Sequence, residues 1–318
     1  MPFTLSHPAA VLPLMRRPFV PAALVAGAVA PDVPYFLDVL GVSETSPQDW
    51  YGPFLNATQT HSAAAGLLLN MPFALGLVAV YRMLSAPITA VLPPRLSLPE
   101  AEQTPGLPAK VRYAAWLLLS ALIGIASHLA WDSFTHGDGL LVTHVPQLGA
   151  PVPGGLTVAR LLQYASTALG LAVIGRRLWR LRGRSRTGGG TDTVPRLGPV
   201  LRWSVLTLLV AAPALGASVH AHEDFHAYRY RTEVDDSRPT TVDLGDGVRE
   251  TTYPSRTVHA PWGTVAEGVL TGAAKRAGAC FAVTLLLYAA TWRTVTVCHR
   301  RSRATSPAPS SPPTQGTT

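Results

Sequence analysis

Five apolar runs stand out along the chain, at residues 63–82, 112–131, 157–176, 202–220 and 276–295. Each is close to the ~20 residues that a helix needs to cross the hydrocarbon core of a bilayer. Backbone amides in lipid must be satisfied within the segment, so these runs predict helices. No ten-residue alternation of the kind that builds a membrane barrel is present. The predicted fold class is all-α, a polytopic transmembrane helical bundle of five to six spans. Pro72 and Pro213 fall inside spans and predict kinks there. The sixth span depends on residues 19–40. Arg16 and Arg17 precede the run Phe19 to Ala30, which ends in a small-x-small pattern at Ala28-Val29-Ala30. Pro31 would follow the cut and Pro21 interrupts the apolar core, which argues for a retained segment over a cleaved signal. It reads as a short helix lying in, or partly entering, the bilayer. If 19–40 crosses instead, there are six spans and both termini share the cytoplasmic side.

Composition supports lipid as the solvent. Hydrophobic residues make up 47% of the 318, charged residues only 14%, and the mean hydropathy is +0.22. A water-facing domain carries about a quarter of its residues as charges. The net charge of +8 is almost all arginine, because Lys110 and Lys275 are the only lysines. These arginines cluster beside apolar runs, so the expected partner is a bilayer with anionic headgroups, not nucleic acid. Residues 176–202 hold eight arginines and one acid, Asp192, which places that loop in the cytoplasm. The loop 132–156 then lies outside, and it has no Lys or Arg. The loop 83–111, with Arg95 and Lys110, lies inside. Residues 221–264, with eight acids and five arginines, lie outside, and the C-terminus is cytoplasmic. Lys275 and Arg276 run against this rule, and snorkelling to headgroups would accommodate them.

The domain reading is a four-span core with the N-terminal helix at 1–220, an extracytoplasmic segment at 221–264, a last span at 265–301 and a disordered tail at 302–318. Strand-like residues Thr240–Val242 and the turn Gly245-Asp246-Gly247 predict a small hairpin in the second of these. Cys280 and Cys298 suggest neither a disulfide framework nor a thiolate metal site.

With that orientation, eight or nine of the ten histidines fall on or near one membrane face. His128, Asp132 and His136 are spaced i, i+4, i+8, which on a helix draws one narrow stripe. The run Thr135-His136-Gly137 ends the helix, so His136 either caps it or leaves it. An imidazole and a carboxylate at this spacing can share a metal ion, and nitrogen and oxygen donors without thiolate suit zinc, manganese or iron. Equally, His128 and Asp132 can simply bond each other and hold the helix end. Asp32, between Pro31 and Pro34, reads as a ligand on a rigid turn or as a local cap. His7 and His61, taken singly, read as interfacial anchors.

The opening Pro2-Phe3-Thr4-Leu5-Ser6-His7-Pro8, Ala30-Pro31-Asp32, Thr60-His61-Ser62 and Ser127-His128-Leu129-Ala130-Trp131-Asp132 together resemble an uncharacterised bacterial integral-membrane family, domain of unknown function 4184. The resemblance covers roughly residues 1–220. The order of these motifs is also similar to membrane-bound metal-dependent hydrolases of the LexA-binding inner-membrane type, and more distantly to zinc-dependent phospholipase C. The resemblance implies metal ligands at His7, Asp32, His61, His128 and Asp132. The one-sided clustering of histidines and acids adds the leading expectation: a divalent ion, zinc, in a hydrolase of a lipid or envelope phosphoester at the outer face, with His136 as acid/base.

Three alternatives stand beside it. His222-Glu223-Asp224-Phe225-His226 fits H-E-x-x-H, in which two histidines hold zinc and the glutamate is the base, with Glu233 or Asp235 as third ligand. A non-enzymatic structural or partner-binding membrane protein is the second. A transporter is the third, but no span carries the paired midplane charges that ion-coupled carriers show.

Overall fold

A computed structural model describes residues 4–37, 51–62, 65–92, 106–153, 156–182, 196–245 and 248–305. Arg95, Arg184, Arg186, Asp192, the Asp246-Gly247 half of the expected turn and tail residues 306–318 lie outside the described residues. From the N-terminus come α1 (Pro8–Val11), α2 (Pro21–Val29) and, past a 3-10 turn at Ala30–Asp32, α3 (Val33–Leu37). The short α4 (Gly52–Leu55) and α5 (Ala57–Thr60) precede two long helices, α6 (Ala65–Val91) and α7 (Leu107–Thr135). Next are α8 (Leu140–His144), α9 (Pro146–Gly149), the two-residue strands β1 (Pro151–Val152) and β2 (Leu156–Thr157), and α10 (Val158–Arg182). The rest is α11 (Pro199–Ser218), α12 (Ala221–Arg229), strands β3 (Tyr230–Val234), β4 (Thr240–Gly245), β5 (Val248–Thr252) and β6 (Ser255–His259), then α13 (Trp262–Thr305).

Among the described residues, five helical stretches are long and apolar enough to cross a membrane, one for each apolar run: Ala65–Val91, Leu107–Thr135, Val158–Arg180, Pro199–Arg229 and Trp262–Cys298. The apolar stretch Pro21–Leu37 is shorter than these. Side chains such as Leu68, Leu169, Val200, Val210 and Leu287 are exposed, which water disfavours and lipid tolerates. The chain is a multi-span, all-α membrane protein.

Two compact units divide it: Met1–Ala30 with Met71–Val205 and Thr284–Thr318, and Pro31–Asn70 with Leu206–Val283. In the first, α2 lies along α7 in the same direction, and glycines set the spacing. A Cβ on Gly27 would strike the Ala121 carbonyl, and one on Gly124 would sit 2.8 Å from Ala28 N and 2.9 Å from Gly27 Cα. Ala23, Leu24, Ala28, Ala121 and Ile125 are fully buried around this crossing. Pro87 lacks the N–H that would bond the Met83 carbonyl one turn earlier. Arg293 on α13 donates to that carbonyl through Nε at 3.0 Å, and Tyr288 Oη donates to the Pro87 carbonyl at 2.8 Å.

In the second unit, β3 pairs antiparallel with β6, and β4 with β5, giving a two-part hairpin arm where the sequence predicts one. Gly245 takes φ +87° at its turn, a conformation that favours glycine. The two cations that ran against the charge rule both find partners in the protein. Arg276 is ion-paired with Asp224 on α12, and Lys275 Nζ lies 5.3 Å over the Tyr35 ring.

Candidate metal centre

Helix α7 builds the site along one stripe. Ser120 Oγ accepts from the Val20 amide at 3.0 Å, holding the start of α2. One turn on, Gly124 lets the two backbones touch. Another turn on, His128 Nδ1 lies 2.8 Å from the Ala28 carbonyl, at the far end of α2. Asp132 follows, its Oδ2 3.0 Å from His128 Nε2. These positions, each four residues apart, share one face because four residues nearly close one turn and a tenth more. His136 is the C-cap of α7, with φ −96° and ψ 141°, so it leaves the helix; its Nδ1 is 3.6 Å from Asp132 Oδ1.

His7 reaches the same carboxylate from the N-terminal segment. Its Nε2 is 3.6 Å from Asp132 Oδ1, and its ring stacks on His128 with centroids 3.8 Å apart and planes 20° apart. The segment is seated against α10 at Gly170, where a Cβ would sit 2.9 Å from Ser6 O. His7, His128 and Asp132 are 5%, 0% and 6% exposed. One donor atom from each lies within 4.8 Å of the other two. Spacing alone links His128 with Asp132; it does not bring in His7, which stands over a hundred residues away.

In the second unit, Asp32 and His61 form another pair, with His61 Nε2 3.4 Å from Asp32 Oδ1. Asp32 is 1% exposed. The Thr60 hydroxyl donates to the Pro31 carbonyl at 2.9 Å, and Asn70 Nδ2 donates to the Thr60 carbonyl at 2.7 Å. The first bond locks the residue before His61 to the residue before Asp32, and the second ties Thr60 to α6. The Tyr35 ring packs edgewise on His61, 5.7 Å between centroids.

Both pairs share a donor logic. A carbonyl only accepts, so the ring nitrogen against it carries the proton. His128 Nδ1 therefore donates to Ala28 O, and His61 Nδ1 donates to Ala57 O at 2.8 Å. In a neutral ring that turns the Nε2 lone pair toward the aspartate. Lone pair and carboxylate repel unless a proton or a metal ion lies between them. Histidine ligands of metals characteristically donate their other N–H to a carbonyl or carboxylate in this way. The stacked rings of His7 and His128 both approach the one carboxylate of Asp132. A buried set of two imidazoles and one carboxylate fits a divalent ion of the zinc, manganese or iron kind.

The H-E-x-x-H segment is arranged differently. His222 and His226 are neighbours on α12, but Glu223 turns to His220, 2.5 Å from Nδ1. Glu233, an expected third ligand, accepts from Arg256 Nε at 3.0 Å, and Asp235 accepts from the Ser237 amide at 3.1 Å. The protease geometry is not assembled among the described residues.

No curated protein and no solved structure matches this chain. A family described as "Domain of unknown function (DUF4184)" matches residues 1–240, a stretch that contains all five residues of the two His/Asp groups. The chain belongs to that family.

Proposed function

We propose that His7, His128 and Asp132 hold a divalent metal ion, zinc by preference, and that the protein is a membrane-bound metal-dependent hydrolase of a lipid or envelope phosphoester. The carrying observation is His128, whose Nδ1 is committed to the Ala28 carbonyl while Nε2 stands 3.0 Å from a buried carboxylate. A bound ion with an open position would polarise a phosphoryl oxygen and lower the pKa of its water. Asp132 would neutralise part of such an ion's charge, and the stacked rings of His7 and His128 would offer it two imidazole nitrogens. His136, off the helix and partly open to solvent, is the group able to hold or deliver a proton beside Asp132. Asp32 and His61 make a second His–carboxylate pair of the same design. The eight arginines between 176 and 202 favour that loop as cytoplasmic and the end of α7 as extracytoplasmic.

The test is turnover of bis(p-nitrophenyl) phosphate and of phospholipids in nanodiscs, after chelation and metal restoration. Activity restored by zinc or manganese, and reduced about a hundredfold or more in Asp132→Asn, supports the reading. Metal-loaded protein with no turnover across phosphomonoesters and phosphodiesters sinks the hydrolase. One observation favours a purely structural role: the bond from His128 to Ala28 fastens α2 to α7. That role predicts loss of thermal stability in His128→Ala with no change in bound metal.

A further inference from the structure

Helix α12 carries a second histidine arrangement that the buried centre does not use. His222 and His226 are one turn apart, exposed, and their Nε2 atoms are 3.1 Å from each other. The ring centroids lie 4.4 Å apart with planes at 76°. Two nitrogens bound to one ion at about 2.0–2.1 Å are about 2.9 Å apart at a right angle and about 3.3 Å apart at the tetrahedral angle. The observed separation falls between those limits, so the pair already stands at chelating distance. The His226 ring is braced by Phe225, 5.7 Å away and edgewise, and Phe225 in turn packs on Trp262. That bracing reduces the rotamer entropy an ion would have to overcome.

The surroundings decide what kind of site this is. Glu223 is engaged with His220, and Glu233 with Arg256. Asp224, the remaining acid of α12, is paired with Arg276. Among the described residues, no third histidine, cysteine or carboxylate joins the pair within the spacing that groups His7, His128 and Asp132.

We propose that His222 and His226 form a solvent-open, two-donor site for an imidazole-preferring divalent ion, copper(II), nickel(II) or zinc, separate in its residues from the buried centre. Water fills its remaining positions, and the ion exchanges freely with the medium. By clamping successive turns, a bound ion favours the helical form of α12, which follows directly on His220 at φ 61°.

The experiment uses the full chain, free of any histidine tag, in detergent or nanodiscs. With the buried centre first loaded with zinc, which gives no paramagnetic signal, copper(II) titration followed by electron paramagnetic resonance should show one ion coupled to two imidazole nitrogens. Affinity should rise from zinc or nickel to copper, as the divalent series requires. His222→Ala and His226→Ala should each weaken copper binding at this site about tenfold or more and remove one coupled nitrogen. Identical affinity and coupling in the double variant overturn the proposal. A second measurement needs no variant. Saturating nickel should protect both histidines of the wild-type chain from acylation by diethyl pyrocarbonate, and unchanged labelling of both would also overturn it.

Discussion

Gly124→Ala should damage a site that Gly124 never touches. Its new methyl would sit 2.8 Å from Ala28 N and 2.9 Å from Gly27 Cα, against 3.4 Å or more in ordinary contacts. The obstructing atoms are backbone, so no side chain can swing aside. Helix α2 must back away by about half an ångström or more, since packed interiors leave no slack. The bond from His128 Nδ1 to Ala28 O, now 2.8 Å, then stretches toward its limit. Overpacking costs about 1–3 kcal/mol, and a weakened buried bond adds about 1 kcal/mol. At roughly 2–4 °C per kcal/mol for a chain of this size, the melting temperature should fall by about 5–15 °C. Loosening the group that orients a ligand should lower metal affinity about 10- to 100-fold. Differential scanning fluorimetry in detergent, with metal content measured on the same sample, reads both effects. Gly76→Ala on α6 is the control, because its Cβ would meet nothing within 4 Å. A Gly124→Ala protein with wild-type melting and wild-type metal content would refute the coupling of α2 to the centre.

Two further outcomes follow from contacts elsewhere. Arg293→Ala should destabilise the protein by about 1 kcal/mol, because the Met83 carbonyl loses its donor. Pro87→Ala supplies a backbone N–H to that carbonyl, so the double variant should recover the loss; additive effects in a double-mutant cycle would show the two are independent. Asp224→Ala leaves Arg276 uncompensated at one-fifth exposure, and should cost about 2 kcal/mol after discounting for solvent. Chemical denaturation of Asp224→Ala that matches wild type would contradict that ion pair's role in holding α12.

The spans are legible from sequence because lipid imposes length and apolarity on every crossing helix, and five runs satisfy both. The His128–Asp132 pairing is legible too, since i and i+4 share a face on any helix. Extending that register backward reaches Gly124 and Ser120, the residues that seat α2, but nothing in an apolar run marks a glycine as a contact point. His7 is different in kind. It reaches Asp132 only through tertiary packing at Gly170 and α10, so its place in the group is suggested by resemblance and is supplied geometrically by the fold. The H-E-x-x-H string is a different case. Its histidines meet as the spacing requires, yet the glutamate faces His220, because a short motif does not specify the scaffold that aims it. Lys275 and Arg276 are anomalous by loop charge, and the explanation lies in Tyr35 and Asp224, far away in sequence.

The central claim is a buried ion held by His7, His128 and Asp132. Its most direct test is metal analysis of the tag-free protein after dialysis against a weak chelator that strips exposed sites. The account predicts about one equivalent of divalent metal retained by the wild type, and loss of that equivalent in Asp132→Asn and His128→Ala. Under about a tenth of an equivalent in a folded wild type, even after incubation with zinc, would contradict it.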